Sequence, residues 1–317
     1  METAILLWSV AGPGVVCICA AVLALWVARD QNGRGTSEDR WAGPLAAVLV
    51  VCGWMAAIAV PLIGRQKISW WPAEAWQQVV WPIGLVGVLL ALCAPHHTAR
   101  SGEEAGRERS RGEPAGPGSP TLAWLHRDQW FLGGLASLLV GMLAMPTGDG
   151  WGDLLPWHRG WLVAVVGCGL VNAWIMQQVA LSGGERWVLW IALAGLGGPT
   201  ILAATAYGGL AEWCLGAIAA TLMLAIFALI VPRSGCWSAL FPAAFFAVAA
   251  TASGRFYTYE DHPLWLYCLI LLLPTGVSLV ALLLGGQRLA TQVVASALTA
   301  AGLLAGIAYR LLLAGQE

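Results

Sequence analysis

A chain of 317 residues in which 59% of the side chains are hydrophobic and 10% are charged lies far from the soluble average of roughly half apolar and about a quarter charged. That excludes an ordinary soluble domain, and a formal net charge of −1 excludes a basic nucleic-acid-binding protein. The eight cysteines all fall inside apolar runs, without CxxC or Cys/His metal spacing, so buried free thiols are expected and no metal or other cofactor.

A helix that crosses the hydrocarbon layer needs about 20 mainly apolar residues. On that rule the chain reads as an all-α polytopic transmembrane bundle of about ten spans: 5–27, 43–63, 77–94, 130–146, 160–180, 187–206, 210–231, 236–253, 264–285 and 289–312. The first follows Glu2 and precedes Arg29, with neither the basic start nor the small-residue cleavage site of a signal peptide, so it is expected to be retained. The fourth and eighth are short enough to be re-entrant, and the tight 206–210 connection could make the sixth and seventh one broken unit. Three parts follow: three helices with a Trp-rich outer loop in 1–94, a cytoplasmic linker in 95–129, and a bundle of about seven helices in 130–317. The linker core, "SGEEAGRERSRGEPAGPGSP" at 101–120, has no large apolar residue to offset the entropy of ordering and is expected to be disordered.

With both termini outside (N-out/C-out), the inner loops carry eleven of the sixteen Lys and Arg residues, the asymmetry that the positive-inside rule requires. The outer loop between the second and third spans holds "SWWPAEAWQQVVW" at 69–81. Pro72 suits a first helical position and Glu74 the first turn. At 100° per residue, Trp70, Trp71 and Trp81 then share a side with Glu74 and Gln78. Such a face is either an interfacial anchor, where Trp rings favour the headgroup level, or a platform on which Trp70 and Glu74 meet a sugar ring or a cation. Trp26, Trp41, Trp130, Trp161, Trp187, Trp213, Trp237 and Trp265 stand near the ends of other spans, where the same belt is expected. Two further outer loops, "GDGWGDLLPWHRGW" at 148–161 and "GRFYTYEDHP" at 254–263, bring Asp149, Asp153, His158, Glu260, Asp261 and His262 to one side. Those groups could do acid–base work, although their spacing matches no ligand motif.

No Asp, Glu, Lys or Arg stands near the middle of any span, which disfavours a charge relay or a voltage sensor. Asn172 is the most deeply placed large polar side chain, and Gln177, Gln178 and Gln292 lie nearer one surface. In lipid such groups bond across helices or touch a ligand. Glycine and proline punctuate three spans, in "AGPG" at 11–14, "AGLGGPT" at 194–200 and "LPTG" at 273–276. A helix opened there needs partners for its backbone, and a solute site supplies them. Gly12, Asn172, Gly198, Thr200 and Thr275 are therefore the candidate lining of a small-solute site in a transporter or permease-like bundle. The alternatives are a membrane enzyme or envelope-assembly factor acting through the outer loops, or a structural subunit; no catalytic constellation is recognisable. The expected partners are the lipid bilayer, of a plasma or inner membrane, and a small-molecule solute. Reporter domains fused at Gly106 and at Glu317 should read inside and outside respectively; the same compartment for both would put the span count out by one.

Overall fold

The computed structural model describes residues 3, 6–32, 42–64, 80–93, 135, 138–139, 142, 155–183, 185–206, 208–231, 236–257, 262–284 and 289–314. Trp70 and Glu74, the linker 95–129, and Asp149, Asp153, Glu260 and Asp261 of the outer loops lie outside them, as does the expected span 130–146 apart from four residues.

A π-helical turn, Leu7–Ala11, runs into α1 (Gly12–Asn32); α2 (Ala42–Gly64), α3 (Val80–Cys93), α4 (Leu155–Gly183), α5 (Glu185–Ala206) and α6 (Gly208–Ile230) follow. A 3₁₀ turn, Cys236–Ala239, then leads into α7 (Leu240–Tyr257), and α8 (Leu264–Leu283) and α9 (Leu289–Ala314) complete the described chain. Every described element is helical, the one arrangement besides a closed barrel that satisfies its own backbone in lipid. Six described helices are long and apolar enough to cross a membrane: Leu7–Val27, Pro44–Ile63, Val188–Thr205, Gly208–Ile230, Leu264–Leu283 and Thr291–Leu313. Val80–Leu89, Gly160–Asn172 and Leu240–Phe256 are shorter apolar helices. The expectation of about ten spans thus contracts to six among the described residues. Of the expected span 77–94 the described helix covers Val80–Cys93, and the expected span 236–253 has its first four residues in a 3₁₀ turn. The sixth and seventh spans are separate helices that pack on one another, α5 ending at Ala206 and α6 starting at Gly208.

Small residues set how closely the helices approach. Without a hydrophobic force between apolar helices in lipid, association rests on backbone proximity and packing. A Cβ placed on Gly53 of α2 would lie 2.1 Å from the Cβ of Ala20 on α1, and one on Gly216 of α6 would lie 2.8 Å from Pro61 Cγ of α2. A Cβ on Gly195 of α5 would lie 2.6 Å from Pro274 Cγ of α8. The rings of Pro61 and Pro274 are thus each seated on a glycine of a neighbouring helix, and α2–α6 and α5–α8 are locked in register by that fit.

The core joins α2, α6 and α7 around three aromatic rings. Trp54 and Trp213 each meet Phe246 edge-on, at centroid distances of 5.8 and 4.5 Å, the arrangement their quadrupoles favour. Each indole is also satisfied: Trp54 Nε1 donates to Thr221 Oγ1 and Trp213 Nε1 to the Ile58 carbonyl, both at 2.9 Å. This corrects the interfacial assignment of Trp213, which is fully buried; Trp161 is buried as well, whereas Trp26 and Trp265 are exposed in the manner expected of a belt. At the edge of the bundle α9 packs on α5 and α8 but exposes Val293, Val294, Leu298 and Leu312. Replacing Gly216 by Leu should lower the detergent melting temperature, since overpacking costs about 1–3 kcal/mol. Gly302 has nothing within 4 Å of a Cβ, so Gly302→Ala should leave melting unchanged or raise it, by up to about 1 kcal/mol of helix propensity. Equal effects would refute the assigned packing.

Candidate functional site

The site is built on a defect in the backbone. Among the described helices, Pro61 of α2, Pro199 of α5 and Pro274 of α8 lie inside the helix. An interior proline offers no N–H to the carbonyl four residues earlier, and its ring crowds that carbonyl outward. All three sites answer in one way, with a side-chain donor reaching the carbonyl three residues before the proline. Trp213 of α6 donates to the Ile58 carbonyl, Thr200 of α5 to Leu196 of its own helix at 2.6 Å, and the Asn172 amide of α4 to the Leu271 carbonyl. The carbonyls that lose their donor are those of Ala57, Gly195 and Ile270, so these bonds hold the neighbouring carbonyl of each proline turn without restoring the missing ladder bond.

The α8 case involves a second polar side chain. Asn172 Nδ2 donates to the Leu271 carbonyl, and Thr275 Oγ1 donates to Asn172 Oδ1, so the amide bridges the helix on both sides of Pro274. Asn172 and Thr275 are both buried. The two helices run parallel along this seam: Trp161 meets Tyr267, the thiols of Cys168 and Cys268 face each other, and Asn172 meets Leu271 and Thr275. At 100° per residue Thr275 lies about 100° from Pro274, so the Thr275 side chain turns to α4, and Ser278 falls between the two. Ile270 and Pro274 lie on the adjacent face and pack on Gly198 and Gly195 of α5. Ser278 is fully buried, and its Oγ has no hydrogen-bond partner among the described residues.

Of the sequence candidates, then, Asn172 and Thr275 meet directly. Gly198 packs one turn away, where a Cβ would lie 2.9 Å from Ile270 Cγ2. Thr200 turns to its own Leu196 carbonyl and faces Cys214 of α6. Gly12 stands in the other part of the bundle, against Val60 of α2, where it takes the i−5 hydrogen bond to Leu7 that closes the π turn. Instead of the expected interruptions, α5 and α8 continue as α-helix through 194–200 and 273–276, and of these three spans the first alone departs from α geometry, through the π turn. The Leu271 carbonyl was not foreseen, because a backbone acceptor leaves no mark in residue type.

A second convergence lies where α4 and α8 begin and α7 ends. Trp161 packs edge-on against Tyr267 at 5.3 Å, His262 lies 6.3 Å from the same ring, and the Arg255 guanidinium stands 5.4 Å from its centroid. Trp161, His262 and Tyr267 are buried. Trp161 Nε1 has no hydrogen-bond partner among the described residues. No group of three His, Cys, Asp or Glu residues able to hold a metal ion occurs among them.

A membrane-permeant, short bis-maleimide should alkylate both thiols and join Cys168 to Cys268, recovered as one crosslinked peptide pair; failure in folded protein would break the parallel α4–α8 seam. Asn172→Ala should destabilise by about 0.6 kcal/mol and at most about 1.7, the range for interhelical hydrogen bonds in membranes, and in a double-mutant cycle should be coupled to Thr275→Val.

Comparison of the chain with protein-family models, with curated proteins and with solved structures finds no match.

Proposed function

We propose that the protein passes a small solute across the bilayer as a permease-like bundle, with its solute contact at Asn172 and Thr275. The observation that supports this reading best is the bridge those two side chains make across Pro274. Polar side chains from two spans meet there inside apolar helices, at a point where one backbone hydrogen bond is already missing. The bonds beside it are side-chain bonds, each of modest strength in a membrane, and a solute can exchange with them without unwinding a helix. In this reading Gly195 and Gly198 let α5 lie against the proline turn of α8, Thr200 keeps the Pro199 turn satisfied, and Gly12 admits the π turn of the first span. Trp70 and Glu74 serve the outer surface of the pathway, with both termini outside and the protein in a plasma or inner membrane.

A second reading, a membrane enzyme or envelope-assembly factor, is favoured by the convergence of Trp161, His262 and Arg255 on Tyr267. That end carries the described part of the loops in which acid–base groups gather.

Stopped-flow light scattering on proteoliposomes separates the two. A permease should speed the entry of at least one member of a panel of small neutral and charged solutes over protein-free vesicles, and Asn172→Ala should slow it. Entry unaffected by Asn172→Ala, or no entry of any solute, would remove the permease reading in favour of the bundle end.

A further inference from the structure

Two of the free thiols stand where α4 and α8 come closest. Asn172 has a short side chain, yet its amide reaches the Leu271 main-chain carbonyl of α8, so the two backbones are near one another at that level. Cys168 stands four residues before Asn172 on α4 and Cys268 three before Leu271 on α8, about 6 and 4.5 Å along the parallel axes. At 100° per residue Cys268 lies about 20° from Thr275, and Cys168 about 40° from Asn172. The faces that meet through the Asn172 bonds therefore carry the thiols as well, and the two thiols share a side-chain hydrogen bond. Trp161 against Tyr267 holds the helices together before the pair, and Asn172 does so after it. Cysteine side chains are short and join only across backbones about 4.4–6.8 Å apart at Cα, so a disulfide needs this kind of close approach.

The two thiols differ in access. Cys168 is buried and Cys268 is partly exposed. Cys268 falls within about 60° of Trp265, Leu279 and Leu283, three of the exposed apolar side chains of α8. In a membrane helix such a stripe meets lipid, so Cys268 has lipid on one side and Cys168 on the other. Cys17 and Cys236 also lie near one another, but both are fully enclosed, and the Cys17 thiol is turned to the Gly53 carbonyl.

We propose that Cys168 and Cys268 are a reversible dithiol–disulfide pair, a modification site within the bilayer whose oxidant is a lipid-soluble quinone. Forming the disulfide breaks two S–H bonds and makes one S–S bond. The two electrons leave together with the two protons and reduce the quinone to its quinol. The medium selects that class: separated charge is costly in hydrocarbon, so the oxidant must take up protons with electrons and must reach a sulfur at the lipid-facing side. Nothing has to enter the seam, because the sulfurs close on one another to about 2 Å. The product ties α4 to α8 one turn from the Asn172 bridge. It does not depend on the permease reading.

The test uses the full chain in proteoliposomes, with decylubiquinone and the azo oxidant diamide as probes. Either should abolish bis-maleimide crosslinking of Cys168 to Cys268 and yield the two residues as one disulfide-linked peptide pair in a non-reducing digest. Dithiothreitol should restore the crosslink. With the quinone, one quinol should appear per disulfide, and Cys268→Ser should lose both products. Thiols at Cys168 and Cys268 that stay free after diamide treatment of folded protein would overturn the pair. Recovery of either residue in a disulfide with another cysteine instead would overturn it equally. A disulfide formed with diamide but not with decylubiquinone would overturn the quinone as its oxidant. None of these readouts uses solute entry, so the inference and the permease reading fail separately.

Discussion

A backbone carbonyl inside a bilayer has no water to turn to, and every other feature of this bundle is arranged around that constraint. Pro61, Pro199 and Pro274 each remove one donor from a helix ladder. At each, a side chain supplies a donor to the carbonyl three residues upstream, as an indole, a hydroxyl and an amide in turn. Because two of those donors belong to other helices, each proline turn is also a tertiary contact: α2 is tied there to α6, and α8 to α4. The prolines, which weaken their own helices, thereby specify which helices must be neighbours.

The same residues explain how closely the helices come. A proline ring on a helix surface needs a recess opposite it, and Gly216 and Gly195 provide the recess for Pro61 and Pro274. Each junction therefore combines a flat glycine surface, a ring seated on it, and a donor reaching a nearby carbonyl. At α2–α6 the combination is reinforced by Trp54, Trp213 and Phe246, which pack edge-on with their N–H groups satisfied. The α4–α8 seam has an edge-on pair of its own, Trp161 and Tyr267, but beside Pro274 it is an amide and a hydroxyl that meet. That difference in chemistry is why the first junction reads as a fixed core and the second as the place where a solute can exchange hydrogen bonds.

Much of the plan was legible before any coordinates. Apolar run lengths of about 20 residues mark the membrane helices, because hydrocarbon thickness and helix rise together set that number. The ends of α2, α5, α6, α8 and α9 fall within a few residues of the expected limits, whereas α1 ends at Asn32, beyond the expected 27. Asn172 stood out because a large polar side chain deep in lipid requires a partner, and Thr275 because it adjoins a proline. The partner itself was not legible: 103 positions separate Asn172 from Thr275, and nothing local to either segment names the other. Trp213 shows the same limit from the opposite side, since an indole near a span end is equally suited to a headgroup layer or to a core, and only the presence of Phe246 and the Ile58 carbonyl makes it core.

The sequence by itself determined the solvent and the local conformation: apolar composition demands lipid, lipid demands helices that satisfy their own backbone, and proline positions fix where that satisfaction fails. Only the tertiary structure decided which side chains meet each proline turn and whether a glycine marks a break or a seat. Gly195 and Gly198 looked like points of unwinding; packed against Pro274 and Ile270 they are contact surfaces in a continuous helix. The physical reason is that a hydrogen bond across helices, or a ring resting on a glycine, is a property of two distant segments at once. Its energy belongs to the pair, and neither segment carries it alone.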